Sequence, residues 1–338
     1  MGKKPYKAKK VKLDKKFSMA AYTLTLAAAV VARTVQLQNN VNFATGKYID
    51  PSPAKNYALW VLIIGFILIS AIMIMGQSRD KAIKSCILIN PMRLRSERLA
   101  KKVSPVAAAV MILMAGLTAF DIILDLSDVA GKNAKISTED NPVFAFAGIP
   151  TLTWIIYVCA IITIITFVST ASNILKGDGV TKGNCVFLMF FPIWKLLEIF
   201  SMFSENQLVG VYSEKVYIML TAMTSSMFFI YAARVFAGFE KKSTRIFMCI
   251  FGYAASIFAA VSVLPRYISY FTLSYYEREG MSAPETSDVG IAVVTIAIVA
   301  VFWSTYVYRV MPKLNLTGKR RWMKTTIAVR NMQSIEDE

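Results

Sequence analysis

The chain contains no histidine among its 338 residues. A histidine-based zinc site, a histidine general base and a histidine proton switch are therefore excluded. The four cysteines form no CxxC pair, and there is no GxxxxGK(S/T), GxGxxG, GxSxG or HExxH motif. Because these absences remove the recognisable catalytic patterns, we expect a protein that is not an enzyme and that holds no metal or cofactor.

Long stretches of the chain also lack charge. Hydrophobic residues make up 56% of the sequence, and the mean hydropathy is +0.50. A run of about 20 apolar residues is long enough to cross the hydrocarbon core of a bilayer. The sequence therefore predicts an all-α polytopic membrane protein, a bundle of about eight transmembrane helices joined by short loops. The predicted spans are residues 17–35, 57–75, 105–126, 150–171, 185–203, 216–236, 246–264 and 289–310.

The spans define a simple domain organisation. We expect a basic segment at residues 1–16, a single helical bundle at 17–310, and a tail at 311–338 that is basic and then acidic. The first span has an alternative interpretation, because a basic leader followed by an apolar run and Val30-Val31-Ala32 resembles a cleaved signal peptide. The apolar pattern continues past Ala32 to Val35, which favours retention of this span.

The formal net charge of +17 has a specific distribution along the chain. If the N-terminus is cytoplasmic, 29 of the 38 lysines and arginines lie in the predicted inside segments or at the adjacent helix ends. This asymmetry predicts a plasma membrane protein with both termini in the cytoplasm. The expected partner of the basic surface is anionic lipid headgroups at the cytoplasmic face rather than nucleic acid. The predicted outside segments lack glycosylation sequons and cysteines, which favours a bacterial source.

Two opposite charges interrupt the fifth span, in the stretch FFPIWKLLEIFSMF. Lys195 and Glu198 are three residues apart, so they share one face of a helix and can neutralise each other. Pro192 precedes them by one turn and is expected to free a backbone carbonyl and kink the helix.

Other charges lie at comparable depth in other spans. Asp121, Asp125 and Asp128 recur along one face of the third span, and Arg33 lies near the end of the first. We expect Arg33, Asp121, Lys195 and Glu198 to converge in the outer half of the membrane, with Asp125 nearer the water. A charge at this depth usually faces the bundle interior or a cavity. Two interpretations stay open: the charges form ion pairs that fix helix register, or they line a polar pocket for a small ion or solute.

Small residues recur at spacings of four in the third and seventh spans. Gly252, Ser256 and Ala260 share a face of the seventh span, and Ala115 and Ala119 share a face of the third. Such faces let helices approach closely and gain van der Waals contact. We interpret them as helix-packing surfaces within the bundle.

The sequence does not match the motifs of a functional family residue by residue. The leading hypothesis is an integral membrane protein that binds or moves a small ion or polar solute through an outer-half pocket. One alternative is a membrane receptor or sensor that signals through its basic inside loops. Another is a non-catalytic structural or assembly subunit of a membrane complex. The sequence indicates no particular protein partner.

Overall fold

A computed structural model describes residues 15–42, 47–50, 56–78, 98–133, 145–146, 149–176, 180–205, 215–237, 242–272, 299–300 and 302–303. Nearly all of these residues are helical. The helices are α1 (Lys15–Asn40), α2 (Tyr57–Ser78), α3 (Arg98–Asn133), α4 (Thr151–Lys176), α5 (Lys182–Phe187), α6 (Phe190–Glu205), α7 (Lys215–Ala237) and α8 (Lys242–Thr272). Two antiparallel hairpins of two-residue strands join β1 (Val41–Asn42) to β2 (Lys47–Tyr48), and β3 (Ala145–Phe146) to β4 (Ile149–Pro150).

The prediction of a helical chain with apolar spans is confirmed. Within the described ranges, seven helical stretches are long and apolar enough to cross a membrane. They coincide with the first seven predicted spans, and α5 and α6 together form the fifth. The eighth predicted span, 289–310, lies mostly outside the described residues. Its residues 299–300 and 302–303 are helical.

The helices are longer than the apolar runs that predicted them. Helix α3 begins seven residues before the predicted span and ends seven residues after it. Helix α8 continues through Pro265 to Thr272, eight residues beyond the predicted end. Hydropathy identifies the part of a helix that suits hydrocarbon, whereas the backbone hydrogen bonds continue wherever the chain permits them.

The sequence predicted a kink at Pro192, and the fifth span is interrupted about one turn before that residue. Helix α5 ends at Phe187, α6 begins at Phe190, and Leu188 and Met189 form the turn between them. A proline has no N–H to donate to the carbonyl four residues earlier, and its ring crowds that carbonyl. That carbonyl belongs to Leu188 here, and it accepts from the Phe191 N–H at 3.4 Å instead.

The helices pack in an order that differs from their order in the chain. The main contacts connect α3 to α4, α4 to α6, α6 to α7, α7 to α8, α8 to α1 and α1 to α2, and α2 also touches α8. Helices α1 and α8 run parallel, because hydrogen bonds join Met19 to Tyr253, Tyr22 to Ser256 and Gln38 to Thr272. We call the end of the bundle that carries both hairpins the hairpin end.

The exterior of the bundle is apolar. In six of the seven spans, half or fewer of the residues are buried, and α8 is the exception at 61%. Large apolar side chains such as Ile64, Ile123, Ile165 and Phe200 are more than 60% exposed. Soluble proteins rarely expose apolar surface on this scale, and hydrocarbon is the solvent that suits it.

Candidate functional site

Lys195 and Glu198 form an ion pair on α6, as their spacing predicted. Lys195 Nζ donates to Glu198 Oε2 at 2.6 Å, and the ammonium also lies 4.0 Å from the ring centroid of Trp194. The Lys195 side chain is 6% exposed and that of Glu198 is 29% exposed. A lysine ammonium has three N–H donors. Glu198 occupies one of them, so the buried lysine can donate to a further acceptor.

An aromatic cluster lies next to this pair, toward the end of the bundle opposite the hairpins. Phe167 of α4, Phe191 of α6 and Phe229 of α7 are all buried. Their ring centroids lie 4.1 Å apart for Phe191 and Phe229, 5.7 Å for Phe167 and Phe229, and 6.4 Å for Phe167 and Phe191. We call these three residues the aromatic layer. Because each helix contributes one ring, the aromatic layer fixes the relative depth of α4, α6 and α7.

A polar residue follows each of these rings by one turn toward the hairpin end. Counting four residues from the rings gives Thr163 on α4, Lys195 on α6 and Ser225 on α7. Residues four apart share a helix face, so the three polar residues point the same way as the rings. All three are buried, at 0%, 5% and 0% exposure respectively. We call Thr163, Lys195 and Ser225 the polar layer.

The hydroxyls of this region present their oxygens as acceptors. Thr163 Oγ1 donates to the Cys159 carbonyl at 2.8 Å, and Ser225 Oγ donates to the Ala222 carbonyl at 3.1 Å. Thr221, one turn from Ser225 toward the hairpin end, donates to the Tyr217 carbonyl at 2.8 Å. A hydroxyl whose proton is held in this way keeps its lone pairs. The polar layer therefore combines lysine donors with hydroxyl acceptors, and Glu198 adds a carboxylate acceptor next to it.

A second polar cluster surrounds Arg33 at the hairpin end. Arg33 Nη1 donates to Gln36 Oε1 at 3.0 Å and to the Tyr48 hydroxyl at 3.2 Å. Its guanidinium carbon lies 4.4 Å from the ring centroid of Tyr217. Gln36 Nε2 donates to Asn56 Oδ1 at 2.9 Å, and the Tyr217 hydroxyl lies 3.4 Å from both Gln36 Oε1 and Asn56 Oδ1. We call Arg33, Gln36, Tyr48, Asn56 and Tyr217 the Arg33 cluster.

Helix α7 connects the two regions. Tyr217, Thr221 and Ser225 are spaced by four residues on one face, and all three are buried. Tyr217 belongs to the Arg33 cluster, whereas Ser225 belongs to the polar layer. Eight residues of α-helix rise about 12 Å. One buried polar face thus extends from the hairpin end to the aromatic layer.

The predicted site residues fall into separate groups. Lys195 and Glu198 are together, and Arg33 lies with the residues of its own cluster. Asp121 is half-buried on α3, whose main helix contact is with α4. Asp125 follows one turn later on α3, and its side chain lies outside the described part of the chain. The helices α1, α3 and α6 are not main packing partners of one another. The convergence of all four predicted charges stays a prediction.

The small residues predicted to pack helices are buried or half-buried in the bundle. Ser256 is buried on α8 and its Oγ lies 3.0 Å from the Tyr22 hydroxyl of α1. Gly252 is also buried, and Ala260 is half-buried. On α3, Ala115 is buried and Ala119 is half-buried.

Sequence reasoning missed Gln36, Tyr48, Asn56, Tyr217, Thr163 and Ser225. One signal was available for Gln36, because Arg33, Gln36 and Asn40 form a polar stripe at i, i+3 and i+7 on an apolar helix. A comparable signal marks Tyr217, Thr221 and Ser225 on α7. Among the described residues, no group of three acidic, cysteine or histidine side chains is placed to hold a metal ion.

Comparisons with known proteins give no relative from which a function could be transferred. No protein-family model, no curated protein and no solved structure matches the chain.

Proposed function

We propose that this protein is a multi-pass plasma membrane protein that binds a small ion or polar solute in the outer half of its helical bundle and moves it. The hairpin end faces the outside in this proposal, and both termini are cytoplasmic. That orientation follows the positive-inside distribution of lysine and arginine. The chain acts without a catalytic centre.

The observation that carries the proposal is the polar layer. Thr163, Lys195 and Ser225 are buried on three different helices, each one turn from a ring of the aromatic layer, and we infer a common depth from the contacts among those rings. Polar and charged groups at membrane depth are costly and usually mark a pathway or a binding site. A lysine whose only task is to fix helix register needs one carboxylate, and Glu198 supplies it. The buried hydroxyls of Thr163 on α4 and Ser225 on α7 are not required for that task.

The Arg33 cluster and the polar face of α7 extend this site toward the hairpin end. A solute entering there meets Tyr217, then Thr221, then Ser225, and reaches Lys195 about 12 Å deeper. Acceptors and donors along this face can replace the hydration of the solute stepwise.

A thermal-shift screen of ions and small polar solutes in lipid nanodiscs tests the proposal. We expect a stabilising solute for the wild type, and a weakened response in Glu198→Gln and Ser225→Ala. Ser262→Ala is the matched control, because Ser262 donates to the Ala259 carbonyl with the same three-residue spacing as Ser225. Asp121→Asn tests whether α3 contributes. A screen in which no solute stabilises the wild type counts against the proposal.

Flux then separates movement from sensing. Proteoliposomes loaded with the stabilising solute should exchange it, and Glu198→Gln should slow that exchange. Binding without exchange would instead favour a receptor or sensor. Copurification with a fixed protein partner and no solute binding would favour an assembly subunit.

A further inference from the structure

The polar face of α7 ends abruptly at the aromatic layer. Ser225 lies one turn from Phe229 on the side toward the hairpin end, whereas Ala233 lies one turn away on the other side. Beyond Phe167, the residue four positions along is Ala171, and before Phe191 the residue three positions back is Leu188; both are buried and apolar. The polar face of α7 therefore stops at the aromatic layer. A separate polar contact lies on the far side of the layer, where Asn184 Nδ2 of α5 donates to Thr170 Oγ1 of α4 at 3.2 Å.

The aromatic layer is continuous across the three helices. The Phe191 and Phe229 rings are in close contact, and Phe167 contacts both. Trp194 and Phe228 extend the contact, with ring centroids 5.7 Å from Phe191 and 5.0 Å from Phe229 respectively. Large buried rings leave no hydrogen-bonding partner for water, and hydrophobic constrictions close pathways by excluding water.

We propose that the aromatic layer is a gate that closes the solute pocket on the side away from the hairpin end. Water and solute reach the polar layer from the hairpin end alone until the rings separate. This inference rests on the proposed function, since a gate requires a pocket to close.

The break between α5 and α6 identifies the part of the gate that moves. Phe191 is the second residue of α6, directly beside the turn at Leu188 and Met189 and next to Pro192. The Ile193 N–H reaches the Met189 carbonyl at only 3.5 Å, so the first turn of α6 is weakly hydrogen-bonded. Phe167 and Phe229 lie in the interior of continuous helices. Opening of the gate therefore moves Phe191 with the start of α6.

Cysteine accessibility tests the gate. Ser225→Cys and Ala233→Cys place thiols one turn to either side of Phe229, on the same face of α7. Each variant is reconstituted in vesicles and treated with a membrane-impermeant, charged thiol reagent from either side. Peptide mass spectrometry then reads each position separately, so the native cysteines remain in place. The buried thiol of Cys185 is an internal reference for an occluded position.

We expect position 225 to be modified from the hairpin side alone, and position 233 to resist modification from that side. Adding Phe229→Ala should make position 233 react from the hairpin side at least tenfold faster. Phe229→Leu keeps most of the side-chain volume, and it replaces Phe229→Ala in this test if that variant fails to fold. Phe251→Ala is the matched control, because it removes an α8 ring that stacks on Tyr231 and contacts Phe247 outside the gate.

Two results would overturn the gate, and they have different consequences. If positions 225 and 233 react equally from the hairpin side in an otherwise wild-type chain, the gate is refuted while the pocket remains. If position 225 reacts from neither side, water does not enter the bundle, and the proposed pocket fails together with its gate.

Discussion

At the scale of single residues, Lys195 and Glu198 show how a membrane helix carries charge. The lysine is almost fully buried, whereas a quarter to a third of the carboxylate side chain is exposed. Removing one partner of a buried ion pair leaves an uncompensated charge, whereas removing both leaves none. Removing Glu198 therefore leaves a buried charge unpaired, whereas removing Lys195 leaves a charge that is partly exposed.

Glu198→Gln should destabilise the protein by about 3 kcal/mol, because it removes the carboxylate partner of the buried Lys195. Lys195→Met should cost less, because the more exposed Glu198 is easier to hydrate. The double variant Lys195→Met/Glu198→Met should recover most of the stability of the wild type. Unfolding followed in lipid nanodiscs measures all three.

Lys176→Gln is the control for loss of a positive charge, because Lys176 is exposed in the last turn of α4. An ion pair without structural effect would leave Glu198→Gln as stable as this control. The interpretation of Lys195 as a charge that needs Glu198 would then be wrong.

A second residue-scale prediction concerns Tyr217 and Arg33. Tyr217→Phe should cost about 1 kcal/mol, because Gln36 Oε1 and Asn56 Oδ1 each keep another donor. Arg33→Lys should cost more, because an ammonium cannot hydrogen-bond and stack on the Tyr217 ring as the planar guanidinium does. Thermal unfolding ranks the two variants. An equal loss of stability for both variants would show that the planar guanidinium of Arg33 contributes nothing that an ammonium cannot.

The sequence predicted some of these residues better than others. The Lys195–Glu198 pair followed from spacing on one helix, since residues three apart are neighbours whatever the rest of the chain does. The partners of Arg33 did not follow in this way. Tyr48 comes from the hairpin that follows α1, and Tyr217 comes from α7, which only the folded bundle brings to α1.

At the scale of helices and turns, Gly65 marks a close approach of α1 and α2. A Cβ atom built at Gly65 would overlap Thr25 Cγ2 of α1. Gly65→Ala should therefore push the two helices apart and cost about 1–3 kcal/mol. Thr25→Ser removes the overlapping methyl group and should restore most of the loss. Unfolding of both single variants and the double variant measures this coupling.

Gly116 provides the matched control on α3. A Cβ atom there meets no atom within 4 Å, so Gly116→Ala should be neutral or slightly stabilising through helix propensity. Equal losses at Gly65 and Gly116 would indicate a general effect of replacing glycine rather than contact between α1 and α2.

The positions of the helix ends could not be predicted from hydropathy. The apolar runs located seven helices correctly, because hydrocarbon selects for length and composition. They could not give the ends of α3 or α8, which extend past the apolar part. Pro192 did indicate that the fifth span is distorted, because the loss of a specific hydrogen bond is a local event, but the break lies about one turn before it.

At the scale of the whole molecule, the number of spans decides the topology. Eight spans place both termini on one side of the membrane, whereas seven place them on opposite sides. A reporter active only in the cytoplasm, fused after residue 338, should therefore be active. The same reporter fused after residue 280, beyond α8 and before the predicted eighth span, should be inactive. Activity of both fusions, or of neither, would contradict an eighth span between them.

The parallel contact between α1 and α8 has a consequence for biosynthesis. More than 200 residues separate the two helices in the chain, and ribosomes add about 5–20 residues per second. Helix α1 thus exists for on the order of tens of seconds before its parallel neighbour α8 is made. During that time Arg33 can already bond Gln36, and soon afterwards Tyr48, whereas Tyr217 arrives much later. Arg33 therefore has two hydrogen-bond partners from its own part of the chain before α7 and α8 are made.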